Sequence, residues 1–364
     1  MSTASDMRHW THHLLHWYAI HRREMPWRGH ADPYAVWISE IMLQQTRVDT
    51  VIPYFERFLA RFPAVAALAS APSADVLKHW EGLGYYSRAR NLQAAAREIV
   101  AAHSSHLPRT AAALGTLPGI GPYTAAAIAS ICFGQRVPVV DGNVARVFSR
   151  YLGWRDDFRK LPARQKLADW LQPQMTGIKV PGDFNQAMME LGALICLPRA
   201  PACAQCPLAT TCHACQANTQ AEFPLRPARQ TTPTRYAMAV VIQRRNRVLL
   251  VKRAEDGLLG GFWELPGGET VHKPTAHIAA AAVHRQTGLT LSDLSDKGVL
   301  THIFSHFRLQ LALFICHKVT GRIHTADTTA RICWASQTDL ARLPVATAHR
   351  RALQVCREAR GNTK

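Results

Sequence analysis

Nowhere in its 364 residues does the chain carry the roughly 18 consecutive apolar residues that a bilayer-spanning helix needs. Met1 to Arg8 also lack the positive-then-apolar order of a secretory signal. Acidic residues are scarce: 25 Asp and Glu face 43 Lys and Arg, a formal net charge of +18. That balance argues against a polycationic partner and for a polyanionic one. The excess is shared by the stretches before and after Thr234, so it is not a detachable basic tail. No internal repeat or low-complexity block stands out, so neither redirects the reading. The nine cysteines are an odd number, and four of them crowd between Cys196 and Cys212. A secreted disulfide framework does not distribute cysteine that way, whereas a metal site in a reducing compartment does. The expectation is a soluble intracellular protein with no membrane association.

The length suits two domains. Residues 1–216 read as all-helical, starting with Met7, Trp10, Leu14, Trp17 and Tyr18 at steps of three and four. Asp32 and Pro33 form an N-cap and first-turn pair for a helix expected through Trp37, Glu40, Met42 and Gln45. A further helix is expected through Val48, Ile52, Phe55 and Leu59. Residues 217–234 turn polar and proline-containing, as an extended interdomain linker would. Residues 235–364 read as mixed α and β, with strands over 236–243, 248–252 and 307–317 and a helix over 276–286.

Three constellations in the first domain carry chemistry. Residues 114–131 place Gly119-Ile120-Gly121 between two helical runs. Glycine lets backbone approach closely there, and the next helix start offers unpaired N–H groups to a phosphate. Glu40 sits in the apolar helix Val36 to Leu43, where burial favours the protonated acid; taken alone it could be an ordinary helix glutamate. Asp141 precedes Gly142-Asn143-Val144 at a helix start, where its plain role is an N-cap. Cys196, Cys203, Cys206 and Cys212 are four thiols within one short loop, able to enclose zinc or an iron–sulfur group.

Taken together, Glu40 with Leu43-Gln44-Gln45-Thr46, Leu83-Gly84-Tyr85-Tyr86, Leu117-Pro118-Gly119 and Asp141-Gly142-Asn143-Val144 resemble the MutY adenine DNA glycosylases of the endonuclease III superfamily. The resemblance covers nearly the whole chain and implies a helix-hairpin-helix glycosylase fold. It implies that Glu40 protonates the departing adenine, that Asp141 stabilises the oxocarbenium-like sugar, and that Tyr123 helps to organise both. It places Trp27, Arg28 and Glu190 near the extruded adenine and Gln45 and Tyr85 as wedges in the DNA. It also makes the four cysteines, at 196, 203, 206 and 212, ligands of one 4Fe-4S cluster, in preference to zinc. Endonuclease III enzymes carry an amine nucleophile in the hairpin; the aligned position here is Tyr123, and residues 107–157 contain no lysine. A monofunctional hydrolase is therefore expected.

In the second domain, Trp263-Glu264-Leu265-Pro266-Gly267-Gly268-Glu269 resembles a Nudix fold. The positions that would hold Mg²⁺ carry Lys273, Ala282, Arg285 and Gln286, none of them a hard-cation ligand. Such degenerate domains in the MutY family recognise 8-oxoguanine, and Phe304-Ser305-His306 resembles the reading motif. The expected whole is a monomeric base-excision repair enzyme that binds duplex DNA and removes adenine opposite 8-oxoguanine or guanine. An oxidised-pyrimidine glycosylase and a non-catalytic DNA-binding protein are the alternatives; the first is opposed by Tyr123 and the second domain, the second by the presence of both carboxylates.

Overall fold

The computed structural model describes residues 6–29, 32–225, 232–254, 257, 259–304, 306–324 and 331–361. Its contacts divide the chain into two compact units, Met1–Ser70 with Arg90–Ala228 and Ala71–Ala89 with Arg229–Lys364. The second unit thus takes in a short piece of chain from within the helical region, and no local pattern announces this. Among the described residues no helix is long and apolar enough to cross a membrane.

The first unit is built from helices. Asp6–His21 buries Trp10, Leu14, Trp17 and Tyr18 against Phe148, Phe184, Leu167 and Leu171, so the expected apolar spacing does mark its inner face. The Asp32 side chain accepts from Tyr34 N at 2.9 Å and Pro33 occupies the first turn, starting the helix Pro33–Met42. Every residue from Tyr34 to Met42 is buried. A ten-residue helix apolar all round belongs in the centre of a domain, and this one brings Glu40 there. It ends at Met42 rather than running on through Gln45: Gln45 has φ 59, a left-handed backbone that no right-handed helix can include. Val48–Arg61 follows as expected.

Pro122–Phe133 and Gly142–Leu152 both pack against Pro181–Leu194. The approach is close because glycines stand at the contacts. A Cβ at Gly182 would lie 2.7 Å from Ile131 Cα, and one at Gly192 would lie 2.6 Å from Asn143 Cβ. Part of the expected linker also belongs to this packing. Residues 220–222 form a short 3-10 turn, and Phe223 is buried with its carbonyl accepting from Arg150 Nε at 3.2 Å. One aromatic leaves no periodicity to read.

Among the described residues the second unit holds a seven-stranded sheet: β1 (Thr234–Arg244), β2 (Arg247–Lys252), β3 (Trp263–Glu264), β4 (Gly267–Thr270), β5 (Thr290–Ile303), β6 (Arg308–Thr320) and β7 (Ile332–Ala335). The order is β3-β2-β1-β6-β5, with β4 also on β1 and β7 on β2. β1 and β6 run parallel, Val240 opposite Phe314. Alternation along β1 feeds two cores. Ala237, Ala239 and Val241 pack with Ala348, Ala352 and Leu353 of the helix Thr347–Gly361, while Met238, Val240 and Ile242 pack with Ala279 and Val283 of the helix Ala276–Thr287. The strand β5, unforeseen from the sequence, is largely exposed and lacks clean alternation.

Candidate active site and metal loop

Glu40 is 5 % exposed. Burial pushes its carboxyl up to about 7; the Tyr123 hydrogen bond lowers it, nearby Asp141 raises it and Arg28 lowers it. Near neutrality such a group is divided between acid and carboxylate, the condition a proton donor needs. The Tyr123 hydroxyl donates to Glu40 Oε2 at 2.7 Å, and Met189 Sδ lies 3.5 Å from it. Burial and the carboxylates of Glu40 and Asp141 push the phenol well above its ordinary range, so it stays a donor.

Asp141 is the N-cap of Gly142–Leu152, as its local sequence suggested. Val144 N donates to Oδ1 at 2.7 Å and Asn143 Nδ2 to Oδ2 at 2.9 Å. The cap fixes the carboxylate on the wall of an open cleft lined also by Gln44, Gln45, Gly121, Tyr123 and Arg164. Burial raises its pKa, opposed by the bonds from Val144 and Asn143 and by the Arg146 charge. Asn185, which sequence reasoning did not single out, holds the approach to Asp141. It accepts from Val139 N at 3.0 Å and donates to Val137 O at 2.9 Å and Ser130 Oγ at 2.8 Å.

The hairpin opens the same cleft. Gly119 has φ +75, and a Cβ there would meet Asn91 Cβ at 2.6 Å, so this glycine is required. Gly121 is different: its φ of −83 suits any residue and a Cβ would enter open space. The space in front of it leaves the start of Pro122–Phe133 accessible to an anion.

The cysteine loop forms a second, small pocket lined by Cys196, Cys203, Cys206, Cys212 and also Cys215, which lies outside the spacing pattern. Among the described residues no group of three or more His, Cys, Asp or Glu forms a site for a metal ion. Cys196, Cys203, Cys206 and Cys212 line one shared pocket, a thiol set whose chemistry suits a soft metal group. The Arg150 guanidinium is buried there, donating to Cys196 Sγ at 3.3 Å and Leu197 O at 2.7 Å. Burial pushes the Cys206 thiol up to about 12.

Two relatives are similar to the chain across most of its length. The adenine DNA glycosylase of Rattus norvegicus is 34% identical over all of this chain and 80% of its own length. That of Buchnera aphidicola subsp. Schizaphis graminum (strain Sg) is 35% identical over 82% of this chain and 84% of its own. This chain belongs to the adenine DNA glycosylases. Residues 38–173 of the glycosylase match the HhH-GPD superfamily of base excision DNA repair proteins, and residues 237–355 match the NUDIX domain. The structure of a thermostable thymine-DNA glycosylase aligns with a TM-score of 0.54 at 28% identity, covering 59% of this chain and all of that one. A non-covalent endonuclease III–DNA complex shares the fold at 22% identity, with a TM-score of 0.51 over 60% of this chain. The protein is therefore an adenine DNA glycosylase with a helical HhH-GPD catalytic region and a Nudix-like α+β region.

Around the acid pair, Glu190 does not stand free. Arg23 grips it from Nε at 2.8 Å, Nη2 at 3.0 Å and its backbone N at 2.9 Å, and Arg28 adds Nη2 at 3.2 Å. Although burial works the other way, these bonds hold its carboxyl down at about 2. Arg28 reaches Gln186 Oε1 at 3.2 Å and acts on Glu40 only through its charge. Trp27 packs edge-on against Phe55, ring centroids 5.1 Å apart. Arg23 was missed because it lies 167 residues from its partner. Of the two expected wedges, Gln45 is exposed with φ 59 and Tyr85 is 42 % exposed with φ 46. Non-glycine residues held in that backbone region mark places where the fold spends stability on presentation.

In the Nudix-like unit, Gln286 Oε1 accepts from Gly267 N at 3.0 Å and Ala282 is core. Phe304 stacks on Phe307 at 4.5 Å in the β5–β6 hairpin and His306 packs edge-on to the same ring at 4.9 Å. Ser305 lies outside the described residues.

Proposed function

We propose that this adenine DNA glycosylase acts on adenine opposite 8-oxoguanine or guanine in duplex DNA, working as a monomer in the bacterial cytoplasm. It hydrolyses the N-glycosidic bond and leaves an abasic site without efficient strand cleavage. The observation that carries the chemistry is the pairing of Glu40, buried and titrating near neutrality beneath the Tyr123 hydroxyl, with Asp141, capped on the wall of the same cleft. Protonated Glu40 gives its proton to the flipped adenine as the C–N bond lengthens. The ionised form of Asp141 then faces the positive charge that grows on the sugar. Water completes the hydrolysis, with Glu40, now a carboxylate, able to take its proton. Trp27, Arg28 and Glu190 shape the adenine pocket. Gly119 and Gly121 hold a phosphate, Gln45 and Tyr85 fill the stack, and Phe304, Ser305 and His306 read the partner base. Residues 1–216 are taken as the catalytic domain, 217–234 as the linker region and 235–364 as the reader, with 71–89 packed in the second compact unit and 220–223 in the first.

Cys196, Cys203, Cys206 and Cys212 would hold a 4Fe-4S cluster. When bound, it supplies the covalent cross-link of its loop and no base chemistry. Arg150 beside Cys196 Sγ offers the positive charge that thiolate ligation favours.

The test is incubation with end-labelled duplexes carrying adenine opposite 8-oxoguanine, guanine or thymine, each analysed with and without hot alkali. Alkali-dependent breaks at adenine in the first two alone are expected. Breaks without alkali, or equal breaks opposite thymine, would overturn the reading. Tyr123→Lys should gain a borohydride-trappable DNA adduct that the wild type lacks.

A further inference from the structure

The loop that carries Tyr85 lies wholly within the second unit, the one that also contains Phe304 and His306. A phenol 42 % exposed on a backbone with φ 46 is unfavourable in two ways, so the loop beneath it must be over-determined. It is. Trp80 Nε1 donates to Gly84 O at 3.2 Å, and Arg88 Nη2 donates to Leu83 O at 3.0 Å and Gly84 O at 3.2 Å. The Arg88 guanidinium lies 5.5 Å from the Tyr85 ring centroid and 5.3 Å from that of Trp80, a cation held against two aromatic faces. Burial pushes Arg88 down to about 10, which leaves it charged at neutral pH.

Tyr86 makes the opposite use of its ring. It is buried, packs on Phe262 at 4.2 Å, accepts from Gly82 N at 3.2 Å and stands 3.3 Å from Thr347 Oγ1. At the foot of the loop Glu81 Oε2 accepts from Arg350 Nη2 at 3.1 Å. The helix Thr347–Gly361 and the segment around Phe262 therefore grip both ends of the loop, while its tip points an aromatic into solvent.

We propose that Tyr86 is a positioning residue for Tyr85: through its hydroxyl bonds to Gly82 and Thr347, the Nudix-like unit holds the wedge as well as the hairpin that reads the partner base. Arg88, in the first turn of the helix Ser87–Ala102 that follows the loop, supports the ring from behind. The inference deepens the reading of Tyr85 as a wedge and rests on it. One body then senses the partner base at two points, and partner selectivity depends on residues that never touch DNA.

The experiment is a double-mutant cycle in the full-length protein with Tyr86→Phe, Tyr85→Ala and the combination, and Thr347→Val as a milder second variant. Each is read by the ratio of Kd values for duplexes with a non-hydrolysable adenine analogue opposite guanine or 8-oxoguanine. The fluorescence of 2-aminopurine beside the partner base reports unstacking, and thermal melting reports folding. Tyr86→Phe keeps the ring packing and removes the hydroxyl. It should lower the selectivity ratio and the unstacking signal about fivefold, the effect of one lost hydrogen bond. Thr347→Val should act in the same direction, and neither should act further in the Tyr85→Ala background. If Tyr85→Ala lowers selectivity but Tyr86→Phe does not, or lowers it equally with and without Tyr85, the positioning role is overturned and the wedge stands. If Tyr85→Ala itself changes nothing, the wedge reading falls and this inference with it.

Discussion

Two regions of this chain treat the positions where carboxylates were expected in opposite ways. In the helical unit Glu40 and Asp141 are buried, yet each keeps a dedicated donor, Tyr123 for one and Val144 with Asn143 for the other. In the Nudix-like unit the corresponding positions carry Lys273, Ala282, Arg285 and Gln286, and two of them have been absorbed into the structure. Ala282 fills the core beneath β1, and Gln286 secures Gly267, whose Cβ would collide with Met238 O at 2.2 Å. Keeping a buried acid requires a surrounding shell that pays for its desolvation. Once the chemistry goes, a methyl or a neutral amide serves the fold better.

The contrast breaks most sharply at Glu40. Glu40→Gln should lower single-turnover excision by about a thousandfold while DNA binding persists; a loss under tenfold would remove Glu40 as the acid. Its pKa is raised in the folded state, so its stabilising contribution is complete below the ordinary value of 4.5 and is lost as pH rises through about 7. Wild-type excision should fall over that upper range. The same variant, neutral at every pH, should be more stable than wild type at pH 8 by about 2 kcal/mol in chemical denaturation.

Glu190 is the opposite kind of acid, depressed to about 2, so its contribution is present above 4.5 and lost as pH falls toward 2. Glu190→Gln strips two arginines of their counter-charge and should cost about 3 kcal/mol at neutral pH, measured as a lowered denaturation midpoint. An unchanged midpoint would mean that the clamp is not structural. On the other unit, Ser305→Ala with His306→Ala should reduce discrimination between 8-oxoguanine and guanine by about tenfold, with excision from the saturated complex unaffected. Equal selectivity would take the hairpin out of the site. The smallest effect is expected from Gln286→Ala, about 1 kcal/mol on the melting of the Nudix-like unit. Wild-type protein with Mg²⁺ should release no pyrophosphate from nucleoside triphosphates, and measurable release would end the contrast altogether.

What the sequence disclosed follows from distance along the chain. The Asp32-Pro33 cap, the Gly119 turn, the Asp141 cap and the cysteine spacing are local grammar, complete within a few residues. The Arg23–Glu190 clamp, the Asn185 brace and the attachment of residues 71–89 to the second unit join segments far apart, and no periodicity records them. Between these extremes, the helix through Glu40 was legible in its start but not its end, because Gln45 obeys its φ of 59 rather than helical propensity. The strand β5 escaped because a solvent-facing strand need not alternate.

The two glycines of Pro181–Leu194 have a consequence for genetics. Any side chain at Gly182 or Gly192 would push against the helices that carry Tyr123 and Asp141, although neither glycine touches the cleft. A saturation screen scored by mutation rate would flag these positions as strongly as the acids themselves. Its map of intolerant sites would trace the back wall of the enzyme, and inactivating alleles would be found whose chemistry residues are all intact.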